Sequence, residues 1–109
     1  MMAKIDLMQG TLDMLVLKTL TQGAMHGYAI ARVIQEKTDD ALQLEEGTLY
    51  PALYRMERKG WITSKWGRSE NNRKARFYRL TGAGRRQLSA ESAAWINFSQ
   101  AIAKIMQTA

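Results

Sequence analysis

Apolar residues recur at helical spacing through the first half of the chain. Leu12, Leu15, Val16 and Leu20 fall on one side of a helix predicted over roughly Gln9 to Gln22, and Gly23 stops it. A second helix is predicted from about His26 to Asp39, with Ala29, Ile30, Val33 and Ile34 as a narrow apolar stripe and Arg32, Gln35, Glu36 and Lys37 facing water. Thr38 to Gln43 form the turn into a third helix, inside the stretch LEEGTLYPALYRMERKGW from Leu44 to Trp61. There Thr48 reads as the N-cap and Pro51 as a first-turn residue, whose missing N–H costs little, while Gly60 ends the helix. At about 100° per residue, Leu49, Ala52, Leu53 and Met56 cluster on a core side. Gly47, Thr48, Pro51, Tyr54, Arg55 and Arg58 take the other. That second side joins hydroxyls, aromatic rings and guanidiniums to a helix start able to offer N–H groups to an anion, which suits a helix inserted into DNA.

After Gly60 the period changes to two. Ile62, Ser64 and Trp66 alternate with Trp61, Thr63 and Lys65, and Tyr78 and Leu80 alternate with Phe77 and Arg79, so two strands are predicted. Between them, Gly67 to Lys74 form a loop with three bases and one acid. Thr81 caps a final helix, in which Leu88, Trp95 and Ile102 are seven apart, as are Glu91, Phe98 and Ile105. The expected fold is mainly α with a small β-hairpin: a winged helix-turn-helix followed by a C-terminal dimerisation helix, divided as 1–81 and 82–109. Arg68, Asn72, Arg73, Lys74 and Arg76 would form the basic wing, suited to phosphates or a narrow minor groove.

Charge strengthens that reading because of where it lies. Residues 1–40 carry four bases and five acids, residues 41–80 nine bases and four acids, and residues 81–109 three bases and one acid, or −1, +5 and +2. The positive field therefore sits on the third helix and the hairpin. With 109 residues the chain makes one small domain, whose burial needs help from a second subunit. It contains no cysteine, which excludes disulfides, thiolate catalysis and Cys-ligated zinc. The opening MMAKIDLMQG lacks the apolar core of a signal peptide, and no apolar run reaches bilayer length, so a soluble, cytoplasmic protein with no membrane partner is expected. His26 is the sole histidine, and at a helix start it reads as a local cap rather than a ligand or base. No metal set, nucleophile-base spacing or phosphate-binding loop accompanies it, so neither an enzyme nor a cofactor is expected.

The third helix and its neighbours carry a resemblance. Gly47-Thr48-Leu49-Tyr50-Pro51-Ala52-Leu53-Tyr54-Arg55-Met56-Glu57 resembles the signature of PadR-type transcriptional regulators. His26-Gly27-Tyr28, Lys59-Gly60-Trp61-Ile62 and Tyr78-Arg79-Leu80-Thr81 with Gly84 match in the same order, and Glu46-Gly47-Thr48 and Ser69-Glu70-Asn71-Asn72-Arg73 resemble one subgroup. The likeness runs from about Asp6 to Leu88, and the short last helix is similar to the smaller subclass. It implies a homodimeric repressor that binds a palindromic operator in double-stranded DNA and releases it on binding a small aromatic or hydrophobic effector. Thr48, Tyr50, Pro51, Tyr54 and Arg55 would meet the major groove or its phosphates, and Tyr28 would approach the backbone from the second helix.

Several of these positions also fit plainer roles. Tyr50 lies partway round the helix toward Glu46 and Glu57, where it could pack within the molecule; Tyr28 could pack between helices, and Arg58 could be solvated surface. Leu88, Trp95, Phe98, Ile102 and Ile105 read as the subunit seam. Trp95 fills its core or forms the wall of an effector pocket. A winged-helix module using its basic face on an acidic protein, without an operator, is the alternative function.

Overall fold

The computed structural model describes residues 9–108. Asp6, where the family likeness begins, and the rest of the opening stretch Met1 to Met8 lie outside the described residues. The elements in order are α1 Gln9–Leu20, β1 Met25–His26, α2 Gly27–Lys37, α3 Glu46–Arg58, β2 Ile62–Arg68, β3 Lys74–Leu80 and α4 Gly82–Met106.

The helical stripes meet in one core. Leu12, Val16, Leu17 and Leu20 of α1, Ile30 and Ile34 of α2, and Leu49, Ala52, Leu53 and Met56 of α3 are buried together with Ile62, Tyr78 and Leu80 of the hairpin. The predicted core side of the third helix is thus the buried one. Its start differs from expectation: Thr48 is not the N-cap. The helix begins at Glu46, and the Thr48 and Leu49 N–H groups donate to the Glu45 carbonyl at 3.0 and 2.9 Å. Pro51 consequently lies inside the helix and cannot donate to the Gly47 carbonyl, a loss tolerated because Gly47 is exposed. The other end follows the sequence. Gly60 adopts φ +79°, and the Gly60 and Trp61 N–H groups donate to the carbonyls of Glu57 and Met56, closing the last turn.

The hairpin strands are longer than their apolar alternation suggested. Pairing runs from Ile62 opposite Leu80 to Arg68 opposite Lys74, which shortens the loop to Ser69 through Arg73. That loop is closed by the Ser69 N–H donating to the Arg73 carbonyl at 2.9 Å, with Asn72 at φ +59°. A third strand, absent from the sequence reading, is the two-residue β1, which adds to the free edge of β3 through Met25 opposite Tyr78 and His26 opposite Phe77. The sheet order is β1-β3-β2.

Thr81 caps α4 as expected, its Oγ1 accepting from the Gly84 N–H at 3.0 Å. The Thr81 hydroxyl also lies 2.7 Å from the Gly60 carbonyl oxygen and 2.9 Å from that of Trp61, so it ties α4 to the turn after α3. Gly84 makes room for this joint. A Cβ there would stand 2.1 Å from the Trp61 carbonyl oxygen and 2.8 Å from Leu80 Cδ1. Gly84→Ala is therefore expected to destabilise the protein by about 1–3 kcal/mol, although alanine is the better helix former. A thermal melt measures this as a lower Tm; an unchanged Tm would mean that the joint opens without cost.

Candidate nucleic-acid interface

The outward side of α3 presents Thr48, Pro51, Tyr54 and Arg58 to solvent. Tyr54 is 62 % exposed, with the Arg58 guanidinium carbon 5.7 Å from its ring centroid, so two of the predicted contact residues form one aromatic-cationic pair. Tyr50 turns toward α2. Its ring lies over Gly27, where a Cβ would come within 2.8 Å of Cε1, and a side chain at that position would displace it. Tyr50 is both packed and surface-accessible, at 43 % exposure.

Arg55 does not face outward as its place on the helix suggested. Its guanidinium reaches across to α1 and donates from Nη2 to Asp13 Oδ1, in an ion pair whose carboxylate side chain is 3 % exposed. Nothing in the local spacing marks this pair, because the partners are 42 positions apart and meet only once α1 crosses α3. Burial raises the Asp13 carboxyl above its ordinary pKa, while the Arg55 hydrogen bond and charge pull it back down.

Tyr28 opens α2, well exposed, with its ring stacked on His26 and the Arg32 guanidinium 5.9 Å from its centroid. His26 is the N-cap of that helix: Nδ1 accepts from the Ala29 N–H at 3.3 Å. The imidazole also meets the Phe77 ring in a T-shaped contact, with centroids 5.3 Å apart. The lone histidine is thus a cap that orients Tyr28.

The wing cations are exposed, yet two already have partners within the protein. Arg68 Nη1 donates to the Asn72 carbonyl at 3.2 Å, which shapes the turn, and Arg76 Nη1 lies 3.9 Å from Glu57 Oε1. Glu57 in turn accepts from the Ser64 hydroxyl at 2.7 Å, so α3 is fastened to the wing root. Arg73 and Lys74 are exposed at the end of the hairpin. Between the wing and the start of α2 runs an open groove of about 980 Å³, with Tyr28, Arg32, Tyr50, Trp66, Lys74 and Arg76 among its walls. Arg32 and Trp66 were not among the residues singled out from sequence. The period-two pattern put Trp66 on the Ile62 side of the sheet, but only the strand register shows that it stands beyond the core and opposite Arg76.

The seam residues divide. Leu88 packs against the protomer's own core, which corrects its place in the predicted seam. Glu91 also turns inward. Its Oε1 accepts from Gln87 at 2.8 Å, and its other oxygen lies 3.0 Å from where a Cβ on Gly10 would sit. Trp95, Phe98, Ile102 and Ile105 are exposed among the described residues, with the Trp95 and Phe98 rings 6.2 Å apart.

Three helices, a hairpin wing and an exposed aromatic-cationic helix face define a winged helix-turn-helix. A model of the Transcriptional regulator PadR-like family matches residues 16–90, and the chain belongs to that family. The fold is similar to that of a transcriptional regulator from Clostridium thermocellum, at 32 % identity over 88 % of this chain and 93 % of that one, with a TM-score of 0.80. It is similar also to a PadR family transcriptional regulator from Eggerthella lenta, at 32 % identity over 93 % and 86 % of the two chains, TM-score 0.76. A PadR family transcription regulator from Clostridium difficile shares 29 % identity over 87 % and 97 %, TM-score 0.75. The chain is thus a transcriptional regulator rather than an enzyme.

Proposed function

We propose that this regulator is a homodimeric, cytoplasmic repressor of a palindromic operator, in which residues 1–81 read DNA and residues 82–109 pair the subunits. The observation that carries the reading is the separation of two surfaces. The segment of net charge +5 holds the exposed face of α3 and the wing, whereas the exposed apolar residues of α4 lie at the far end of the chain. Thr48, Pro51, Tyr54 and Arg58 contact the major groove, Tyr28 and Tyr50 its phosphate edge, and Arg68, Asn72, Arg73, Lys74 and Arg76 the flanking backbone. A small aromatic or hydrophobic effector enters between the Trp95 rings and releases the operator. Selection of bound fragments from random DNA tests the proposal: recovery of a palindrome supports it, and enrichment of no sequence overturns it.

Salt supplies the electrostatic test. Affinity should fall on a log–log plot with a slope of roughly 0.9 per phosphate neutralised. Arg73→Ala/Lys74→Ala should flatten that slope and leave operator preference largely intact, since phosphate contacts position more than they specify. An unchanged slope in the double variant would remove the wing from the interface.

A further inference from the structure

Trp66 is 61 % exposed near the outer end of β2, away from the buried core. Its neighbours are cations. Lys74 Nζ stands 4.9 Å and the Arg76 guanidinium carbon 5.3 Å from the Trp66 ring. The strand register accounts for both contacts: Arg76 is the direct cross-strand partner of Trp66, and Lys74 is the diagonal one on the same face. All three line the groove, and Tyr28 and Arg32 face it from α2.

Resting on the DNA-binding reading, we propose that Trp66 is a positioning residue that holds Lys74 and Arg76 as the cationic wall of this groove, and that the groove seats the sugar–phosphate backbone of one DNA strand. The lining suits that occupant. A nucleic-acid strand carries anionic phosphates and apolar sugar faces, and here guanidinium and ammonium groups share the lining with the rings of Tyr28 and Tyr50. Four bases, Arg32, Arg73, Lys74 and Arg76, stand against two acids, Glu36 and Glu70. The groove is open rather than enclosed, as a continuous strand requires, and Tyr50 joins it to the recognition helix α3. Without the indole, two long side chains would lose the surface that restricts their rotamers before DNA arrives, and binding would have to order them.

The test is a double-mutant cycle, with fluorescence anisotropy of a short mixed-sequence duplex at low salt as the readout. Trp66→Ala should weaken binding by about five- to thirtyfold, the cost of ordering two long side chains on binding. Trp66→Phe should restore most of it, Lys65→Ala on the opposite face of β2 should change little, and Tm should stay near that of wild type. In the Lys74→Ala/Arg76→Ala background, Trp66→Ala should have no further effect. Wild-type affinity in Trp66→Ala, or an undiminished effect of Trp66→Ala in that background, overturns the assignment. Absence of salt-dependent DNA binding by the wild-type chain defeats the DNA reading itself, and this result is distinct because the wild type itself then fails to bind, whereas failure of the Trp66 assignment leaves wild-type binding intact.

Discussion

Arg55→Ala should destabilise the protein by about 3 kcal/mol, the low end of what breaking a buried ion pair costs, since the Arg55 side chain keeps 28 % of its surface exposed. Most of the loss comes from Asp13. Its carboxylate would remain in a dry site between α1 and α3 with its principal partner removed, and the residual influence of Glu91 disfavours its charge further. Asp13→Asn in the Arg55→Ala background should therefore recover much of the stability, because an unpaired buried charge is worse than none. The pH dependence has a definite sign. The folded-state pKa of Asp13 is raised above 3.8, so the native state binds the extra proton and this group makes stability fall as pH rises above the unfolded value. Removing Arg55 widens that window toward higher pH, and chemical denaturation of the variant from acidic to neutral pH should show a steeper decline than wild type. A variant of normal stability that had lost operator discrimination would instead return Arg55 to the DNA surface.

Trp95→Ala should dissociate the proposed dimer. Trp95 is 43 % exposed in the single chain, and its pairing across two copies of α4 would enclose the indole, whose truncation costs on the order of 3–5 kcal/mol when fully buried. A short seam of Trp95, Phe98, Ile102 and Ile105 has little in reserve. Two α3 helices held together in that dimer would dock in successive major grooves about 34 Å apart, and the second docking would be effectively intramolecular. Sedimentation should show monomer at micromolar concentration, and operator affinity should collapse although α3 and the wing are untouched. A stable dimer with normal operator binding would locate the subunit contact elsewhere.

The helix faces were legible because burial follows a 3.6-residue period, and all four predicted core residues of α3 are buried. His26 and Thr81 were legible as caps because capping is a local exchange between a side chain and an N–H three residues on. The outer halves of β2 and β3 were not, since Gly67, Arg68, Lys74 and Ala75 pair by backbone bonds that need no apolar alternation. The two-residue β1 was invisible for a related reason: it exists only because β3 offers it an edge. Arg55 misled because it stands at the boundary between the two sides of its helix, where the crossing of α1 decides which way a long side chain turns. Leu88 and Glu91 likewise belong to the part of α4 that packs on its own protomer, a change of environment that an unbroken heptad count does not show.

The joint at Thr81 and Gly84 makes α4 a lever. Its root is fastened to the turn that ends α3, so α3 and α4 move together rather than through a loose linker. With 25 residues at 1.5 Å each, α4 extends for roughly 37 Å, and turning such an arm by ~5° sweeps its end through about 3 Å. In a pair joined along these arms, a small change in crossing angle at the seam becomes a change in the separation of the two α3 helices, measured against the fixed pitch of the duplex. In the proposed dimer, operator release would then need no refolding of the winged helix, only a few degrees of rotation between two stiff rods.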